Sequence, residues 1–485
     1  MRGVVAAGHP VTAAAGADVL RAGGNAVDAA LGAMFASFAA EPMLTGLGAG
    51  GYLLAAPPGA APVLLDFFVA APGAGAVGRP HVPLVEVEVS FGDAVQLFHI
   101  GAAAAGVYGV LAGAWAAAER FGSLPLADLV APAVALARAG VEVNPQQAYL
   151  FDILRPIAGA TPESRALLMP AGRPPRVGEV HRDAALADAL ERFAAEGPAP
   201  FYSGEVAARV VEWIGARGGL LTRADLAGYE TVARAPVDVA YRGHRVLTNP
   251  PPSAGGILLA HALALLERTP GPPPVAALVE AMRAAQAERT PAFLAGLDDP
   301  GFVAEFSAGR LGATTHVSSA DVDGWACAVT CTNGEGCGEV VPGTGIHLNN
   351  MMGEEDLSPF GFHTHPPGRR LPSMMAPTIV LGADGAQLAL GSAGSNRIRS
   401  AILQVVVGVL DRGLEVQAAI EAPRVHLEAG TVYAEPGVDP PGEDVVRFTA
   451  PNLFFGGAQA VRRDGATGAL TGGADPRRGG AVAVA

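Results

Sequence analysis

Lysine is missing from this 485-residue chain, and each of its 32 basic residues is an arginine. That absence excludes whole mechanisms: there is no P-loop lysine, no Schiff-base amine and no Ser-x-x-Lys acylating pair. Cysteine is scarce, with three residues, Cys327, Cys331 and Cys337, set close together. Their spacing fits no zinc pattern, an odd count gives no disulfide framework, and a buried apolar role is the favoured reading. Long uncharged apolar runs are lacking too. Half of the residues are hydrophobic, much of that share alanine, yet no run reaches the roughly 18 residues that a spanning helix needs. The opening MRGVVAAGHPVTAAAGADVL has one arginine and a mild apolar stretch broken by His9-Pro10. It reads as part of a domain rather than a signal peptide, so a cytoplasmic location is expected. Positive charge is in short supply. A net charge of −14 argues against nucleic acid or an anionic membrane surface as partner.

What is present centres on residues 312–332, GATTHVSSADVDGWACAVTCT. The alternation reads as two strands joined by Asp323-Gly324, a dipeptide that favours a two-residue hairpin turn. If Val322 faces Trp325, Thr332 sits opposite Thr315, one residue from Thr314 and beside His316. That is a place for a threonine nucleophile. Upstream, Asn25 and Asp28 form a capping-box pattern ahead of the apolar helix AVDAALGAMFASFAA, which should be buried. EPMLTGLGAGGYLLAAP is a glycine-rich turn into a strand; the order helix, loop, strand rules out a dinucleotide loop. Ser253 is placed to cap GGILLAHALALLE. His363 and His365 lack a third metal ligand at recognisable spacing and read as a surface loop. A second hairpin turns at Asp384-Gly385 and runs into Gly391–Ser395, then a helix. Strand, glycine loop and helix N-terminus can present backbone N–H groups to a phosphate or a tetrahedral oxyanion, and can equally be a tight connection.

Taken together, these segments resemble the gamma-glutamyltranspeptidase family of N-terminal-nucleophile hydrolases, nearly end to end. The motifs carrying the resemblance are GGNAVDAA, EPMLTGLGAGGY, GGLLTRADLAGY, NPPPSAGG, TTHVS, PGTGIHLNN, LPSMMAPTIV, EAPRVH and ADPRRGG. The resemblance implies an α+β fold, a four-layer αββα sandwich. It also implies a precursor that cuts itself between Ala313 and Thr314, leaving fragments 1–313 and 314–485 as one folded heterodimer. Thr314 would be the nucleophile, with its freed α-amino group, pKa near roughly 8, as local base. Thr332 would support it, Gly394 and Ser395 would form the oxyanion loop, and Asn333, Glu354, Glu355 and Ser373 would meet the substrate. The implied activity is hydrolysis and acyl transfer of γ-glutamyl amides such as glutathione, with water, an amino acid or a peptide as acceptor. Neither cofactor nor metal is expected.

Departures from the family pattern fall on the substrate side. The chain has Gly394-Ser395 for Gly-Gly, Pro372-Ser373 for Ser-Ser, and Gly334 where an asparagine is usual, with Asn333 adjacent. Phe68-Val69 stands where members carry Arg-Glu, leaving Arg79 as the nearest candidate for the substrate's carboxylate clamp. Two alternatives follow: an acylase for glutaryl or other acyl groups, and an unprocessed, non-catalytic relative.

Overall fold

The computed structural model describes residues 1–76, 78, 80–90, 95–288, 297, 314–358, 360–394, 396–442 and 444–485. The chain enters with strand β1 (Gly3–Ala7), helices α1 (Pro10–Arg21) and α2 (Ala26–Ala40), and strands β2 (Gly50–Ala56) and β3 (Val63–Phe67). After a largely helical stretch come β4 (Val232–Arg234), β5 (Val237–Tyr241), β6 (His244–Thr248), α3 (Ala254–Leu266) and α4 (Val275–Ala287). The later part supplies the hairpin β7 (Thr315–Asp321) and β8 (Ala326–Thr332), then β9 (Thr378–Gly382) and β10 (Gly385–Ala393). Helices α5 (Arg397–Leu410) and α6 (Val416–Glu421) and strands β11 (Gly457–Arg463), β12 (Leu470–Ala474) and β13 (Ala481–Val484) complete the framework.

Among the described residues, these strands form a seven-stranded sheet, β13-β1-β7-β8-β2-β3-β4, and a six-stranded sheet, β12-β11-β10-β9-β6-β5. The two sheets face each other through β7 and β8 against β10 and β11. Helices α1 and α2 cover the outer face of the first sheet, and α3, α5 and α6 that of the second. This is the four-layer αββα sandwich.

Local chemistry accounts for the elements that position the hairpin. Asn25 accepts hydrogen bonds from the Val27 and Asp28 N–H groups while Asp28 accepts from the Asn25 N–H, so the capping box forms. Every residue of α2 is buried, which suits a helix of small and apolar side chains between a sheet and other helices. A fully buried Leu31 or Phe35 contributes about 1.5–3 kcal/mol each. Ser253 is indeed at the start of α3, but it is not a side-chain cap. Its hydroxyl reaches the carbonyls of Ser373 and Met375 instead.

The hairpin register differs from the sequence expectation. Ala320 pairs with Ala326 and Thr315 with Cys331, so the connection is the three-residue loop 322–324 rather than a two-residue turn. Gly324 takes φ +94°, the left-handed region where a glycine is favoured. The reason lies in Asp321: one carboxylate oxygen accepts the Trp325 N–H at 3.0 Å and the other accepts the Ala26 N–H at the start of α2 at 2.8 Å. The two ends of the chain meet beside this hairpin. The Arg2 N–H donates to the Ala485 carbonyl at 2.7 Å and the Ala485 N–H to the Gly3 carbonyl at 3.0 Å.

Candidate active site

Alternation along β7 sends its side chains to two different places. Thr315 and Ser319 face the helix layer: the Thr315 hydroxyl donates to Glu41 at 2.8 Å and the Ser319 hydroxyl to the Ala26 carbonyl at 2.6 Å. His316 and Ser318 face the other sheet. Ser318 donates its proton to the Gln459 carbonyl, so Nε2–H of His316 donates to Ser318 and Nδ1 accepts from Thr330 at 2.7 Å. Burial holds the His316 ring neutral and pushes its pKa down to about 3. His316 is therefore a hydrogen-bonded spacer between the sheets and not a base.

Thr314 precedes β7 on the side shared with His316. It is buried, and its Oγ1 has no hydrogen-bond partner among the described residues. Continuing the observed register by one residue brings Thr332, not Cys331, across from Thr314. The earlier pairing of Thr332 with Thr315 is thus off by one, and the correction brings the two threonines closer in register. Thr332 is buried at the end of β8, where its hydroxyl accepts the Gly334 N–H at 2.7 Å.

Acidic groups gather close by. Glu41, at the end of α2, is buried beside Thr315; desolvation raises its pKa to about 7, against the opposing effects of the Thr315 bond and the charge of Arg478. Glu335 and Glu354 form a buried carboxyl pair hydrogen-bonded to each other. The Asn350 side chain donates to both, at 3.5 and 3.3 Å, and accepts the Glu335 N–H at 3.1 Å. Desolvation pushes both acids up, and the neighbouring Glu335 charge pushes Glu354 further. Two carboxyls in this arrangement hold a proton between them. Glu355 is exposed, and its charge adds to the upward shift of Glu354. Asn333 donates to the His347 carbonyl at 3.2 Å and keeps a buried Oδ1 with no partner among the described residues.

Gly394, directly after β10, takes φ +115°, and a Cβ there would lie 2.7 Å from the Gly456 Cα. Both the conformation and the space require glycine. Its carbonyl accepts the Arg397 N–H at 3.1 Å at the start of α5. Glu335, Gly394, Arg397 and Arg478 line a narrow cleft together with Gln96 and the leucines 44, 150, 154 and 453. Arg397 is engaged within the protein, donating to the Phe454 carbonyl at 2.8 Å and lying over the Phe454 ring.

Other residues singled out from the sequence have partners of their own. Ser373 accepts the Met375 N–H at 3.0 Å and, through its carbonyl, ties down the start of α3. Phe68 and Val69 are core residues, Phe68 stacked on Tyr52 with ring centroids 5.5 Å apart. The carboxylate just before them, Asp66, is held by Arg234 at 2.8 Å and Arg370 at 3.3 Å. His365 bonds the Leu357 carbonyl, and His363 lies against His81. Among the described residues no cluster of His, Cys, Asp or Glu is arranged to hold a metal ion. Burial raises the thiol pKa of Cys327, Cys331 and Cys337 alike, which suits packing rather than nucleophilic attack. Ala313, Ser395 and Arg79 fall outside the described residues.

Sequence reasoning missed Glu41, Glu335 and Arg478 as site residues. Glu41 and Arg478 belong to the quoted motifs EPMLTGLGAGGY and ADPRRGG, so the signal was present without a role attached. Glu335 follows Asn333-Gly334 and looks like a turn residue until Glu354 is brought beside it.

Two facing sheets between helix layers, with a threonine opening a central strand, define the N-terminal-nucleophile hydrolase class. The gamma-glutamyltranspeptidase family model matches residues 12–307 and 295–485. The Acylase ACY 1 proenzyme of Pseudomonas sp. (strain SE83) is 33% identical over 506 residues, covering 97% of this chain and 89% of that protein. The Glutathione hydrolase proenzyme of Escherichia coli (strain K12) is 31% identical over 538 residues, covering 98% and 90%. Among solved structures, a cephalosporin acylase from Bacillus halodurans superposes with a TM-score of 0.84 at 28% identity, covering 100% of this chain and 96% of that one. The chain belongs to the gamma-glutamyltranspeptidase family, and with it to an enzyme class of hydrolases and acyl transferases.

Proposed function

We propose that the chain cuts itself before Thr314 and then transfers the acyl group of a γ-glutamyl amide, of which glutathione is the type, to water or to an amino acid or peptide. The observation that carries this reading is the Thr314 hydroxyl: buried, without a hydrogen-bond partner among the described residues, and across the hairpin from Thr332. A threonine needed only for packing would be expected to have its hydroxyl satisfied. After cleavage the freed α-amine takes the hydroxyl proton as Thr314 attacks the amide carbonyl, giving an acyl-enzyme and an expelled amine. Thr332 donates to the nucleophile, and the Gly394 loop receives the oxyanion. Glu335, Glu354 and the open Oδ1 of Asn333 supply acceptors for a substrate ammonium group.

An acylase for a donor without the α-ammonium group is the second reading. It is favoured by Phe68 and Val69, which occupy the core where a clamp would stand. It is favoured too by the acylases among the relatives. The first test is a denaturing gel of the purified protein after incubation, followed by N-terminal sequencing of the smaller fragment. Two bands and the sequence Thr-Thr-His-Val are expected, with Thr314→Ala remaining whole. A single band from the wild type, or a fragment beginning elsewhere, would remove Thr314 as nucleophile and leave a non-catalytic relative.

A further inference from the structure

The closing motif ADPRRGG contains two adjacent arginines with opposite circumstances. Arg477 is consumed: it bonds both oxygens of Glu435, at 2.7 and 2.5 Å, and also Asp475 and the Ile420 carbonyl. Arg478 is buried to 8% exposure, and its Nε and Nη1 have no hydrogen-bond partner among the described residues. Its stem runs over Gly457, where an added Cβ would come within 2.4 Å of Cδ. Its Nη2 lies beside Gly394, 3.2 Å from where a Cβ would stand. The guanidinium is thus fixed in the wall of the cleft next to the glycine of the oxyanion loop, together with Glu335. Desolvation and the neighbouring Arg397 lower its pKa to about 10, so it is charged at neutral pH. The charges of Asp475, Glu41 and Glu335 stand near it, but donors held out of water with no acceptor among the described residues are costly. Its open Nε–H and Nη1–H groups are donors that a carboxylate oxygen can accept from.

We propose that Arg478 binds the terminal carboxylate of the acyl donor, in place of the clamp missing at Phe68-Val69. This deepens the acyl-transfer reading and rests on it. The ligand class is an amide whose acyl chain ends in a carboxylate a few methylenes from the scissile carbonyl, γ-glutamyl or glutaryl.

The experiment compares γ-glutamyl, glutaryl and pentanoyl anilides on the self-cleaved protein, in wild type, Arg478→Met and Arg478→Lys. Pentanoyl has the length of glutaryl without its charge. Arg478→Met should raise KM for the two carboxylated donors by about 10²-fold, as for a buried charge pair losing one member. The effect on kcat, and on every constant for pentanoyl anilide, should be many times smaller than that on KM for the carboxylated donors. Lysine keeps the charge but not the fork and should recover part of the loss. An equal fall on all three donors, or a fall in kcat alone, would make Arg478 an oxyanion or structural group and overturn the proposal. Should Arg478→Met fail to fold or to cut itself, inhibition of the wild type decides: glutarate must compete far better than pentanoate, and equal inhibition overturns the proposal. A wild type that is cleaved and hydrolyses pentanoyl anilide, but whose carboxylate preference survives in Arg478→Met, defeats this inference while leaving acyl transfer standing. A wild type that is uncut and inert towards all three defeats both.

Discussion

A threonine hydroxyl becomes a nucleophile only when its surroundings take its proton and orient its oxygen. Thr332 is opposite Thr314 and is itself held by the Gly334 N–H. Thr332→Val should therefore have two separable effects. Loss of one transition-state contact should lower kcat by about 10²-fold, and leaving the Gly334 N–H unpaired should cost about 1–3 kcal/mol of stability. Steady-state kinetics and urea unfolding on one preparation check both; an unchanged kcat would mean that Thr332 serves the turn alone. Glu41 lends itself to a pH test. Its folded pKa of about 7 lies above the ordinary carboxylate range, so the stability it contributes is fully present near pH 4.5 and below. That stability is lost as pH rises through 7. Glu41→Gln keeps an acceptor for Thr315 and cannot ionise. Relative to wild type it should gain on the order of 3 kcal/mol between pH 5 and pH 8, read from melting temperatures at each pH. A difference that stays flat would place the proton elsewhere.

At the scale of elements, the hairpin depends on Asp321. Its carboxylate bonds the first turn of its own loop and the N-terminus of α2, so the register of β7 is fixed by a helix 295 residues away in sequence. Asp321→Ala should leave the Ala26 N–H buried and unpaired, cost about 1–3 kcal/mol, and slow self-cleavage by loosening the position of Thr314. Urea unfolding of the uncut Thr314→Ala background measures the first effect, and a time course on gels the second. The same residue marks where the sequence stopped being legible. Alternation showed both strands, and Asp323-Gly324 showed where they turn. A two-residue turn was the sound local inference, but a partner from the far end of the chain made the loop one residue longer. Asn25 with Asp28 and the buried α2 were readable because their partners are within a few positions. Ser253 was misread because its hydroxyl bonds carbonyls 120 and 122 residues away. The Glu335 and Glu354 pair, and the contrast between Arg477 and Arg478, depend on side chains that only the fold brings together.

Across the whole molecule, the proposed cut at Thr314 separates strands that remain neighbours. In the seven-stranded sheet, β13, β7 and β8 come from the later part, and β1, β2, β3 and β4 from the earlier one. The pairings β13 with β1, β1 with β7, and β8 with β2 therefore cross the cut, as does β9 with β6 in the other sheet. The cut protein should elute from gel filtration at the volume of the uncut Thr314→Ala variant and unfold in one transition. Two native peaks would contradict the interleaving. The meeting of Arg2 and Gly3 with Ala485 has a consequence for how such a nucleophile can be made. Joining the two ends through a short linker and opening the gene at codon 314 would give a circular permutant in which translation, followed by removal of the initiator methionine, presents Thr314 as the first residue. In that arrangement the amine is supplied by the ribosome, and maturation no longer has to precede catalysis.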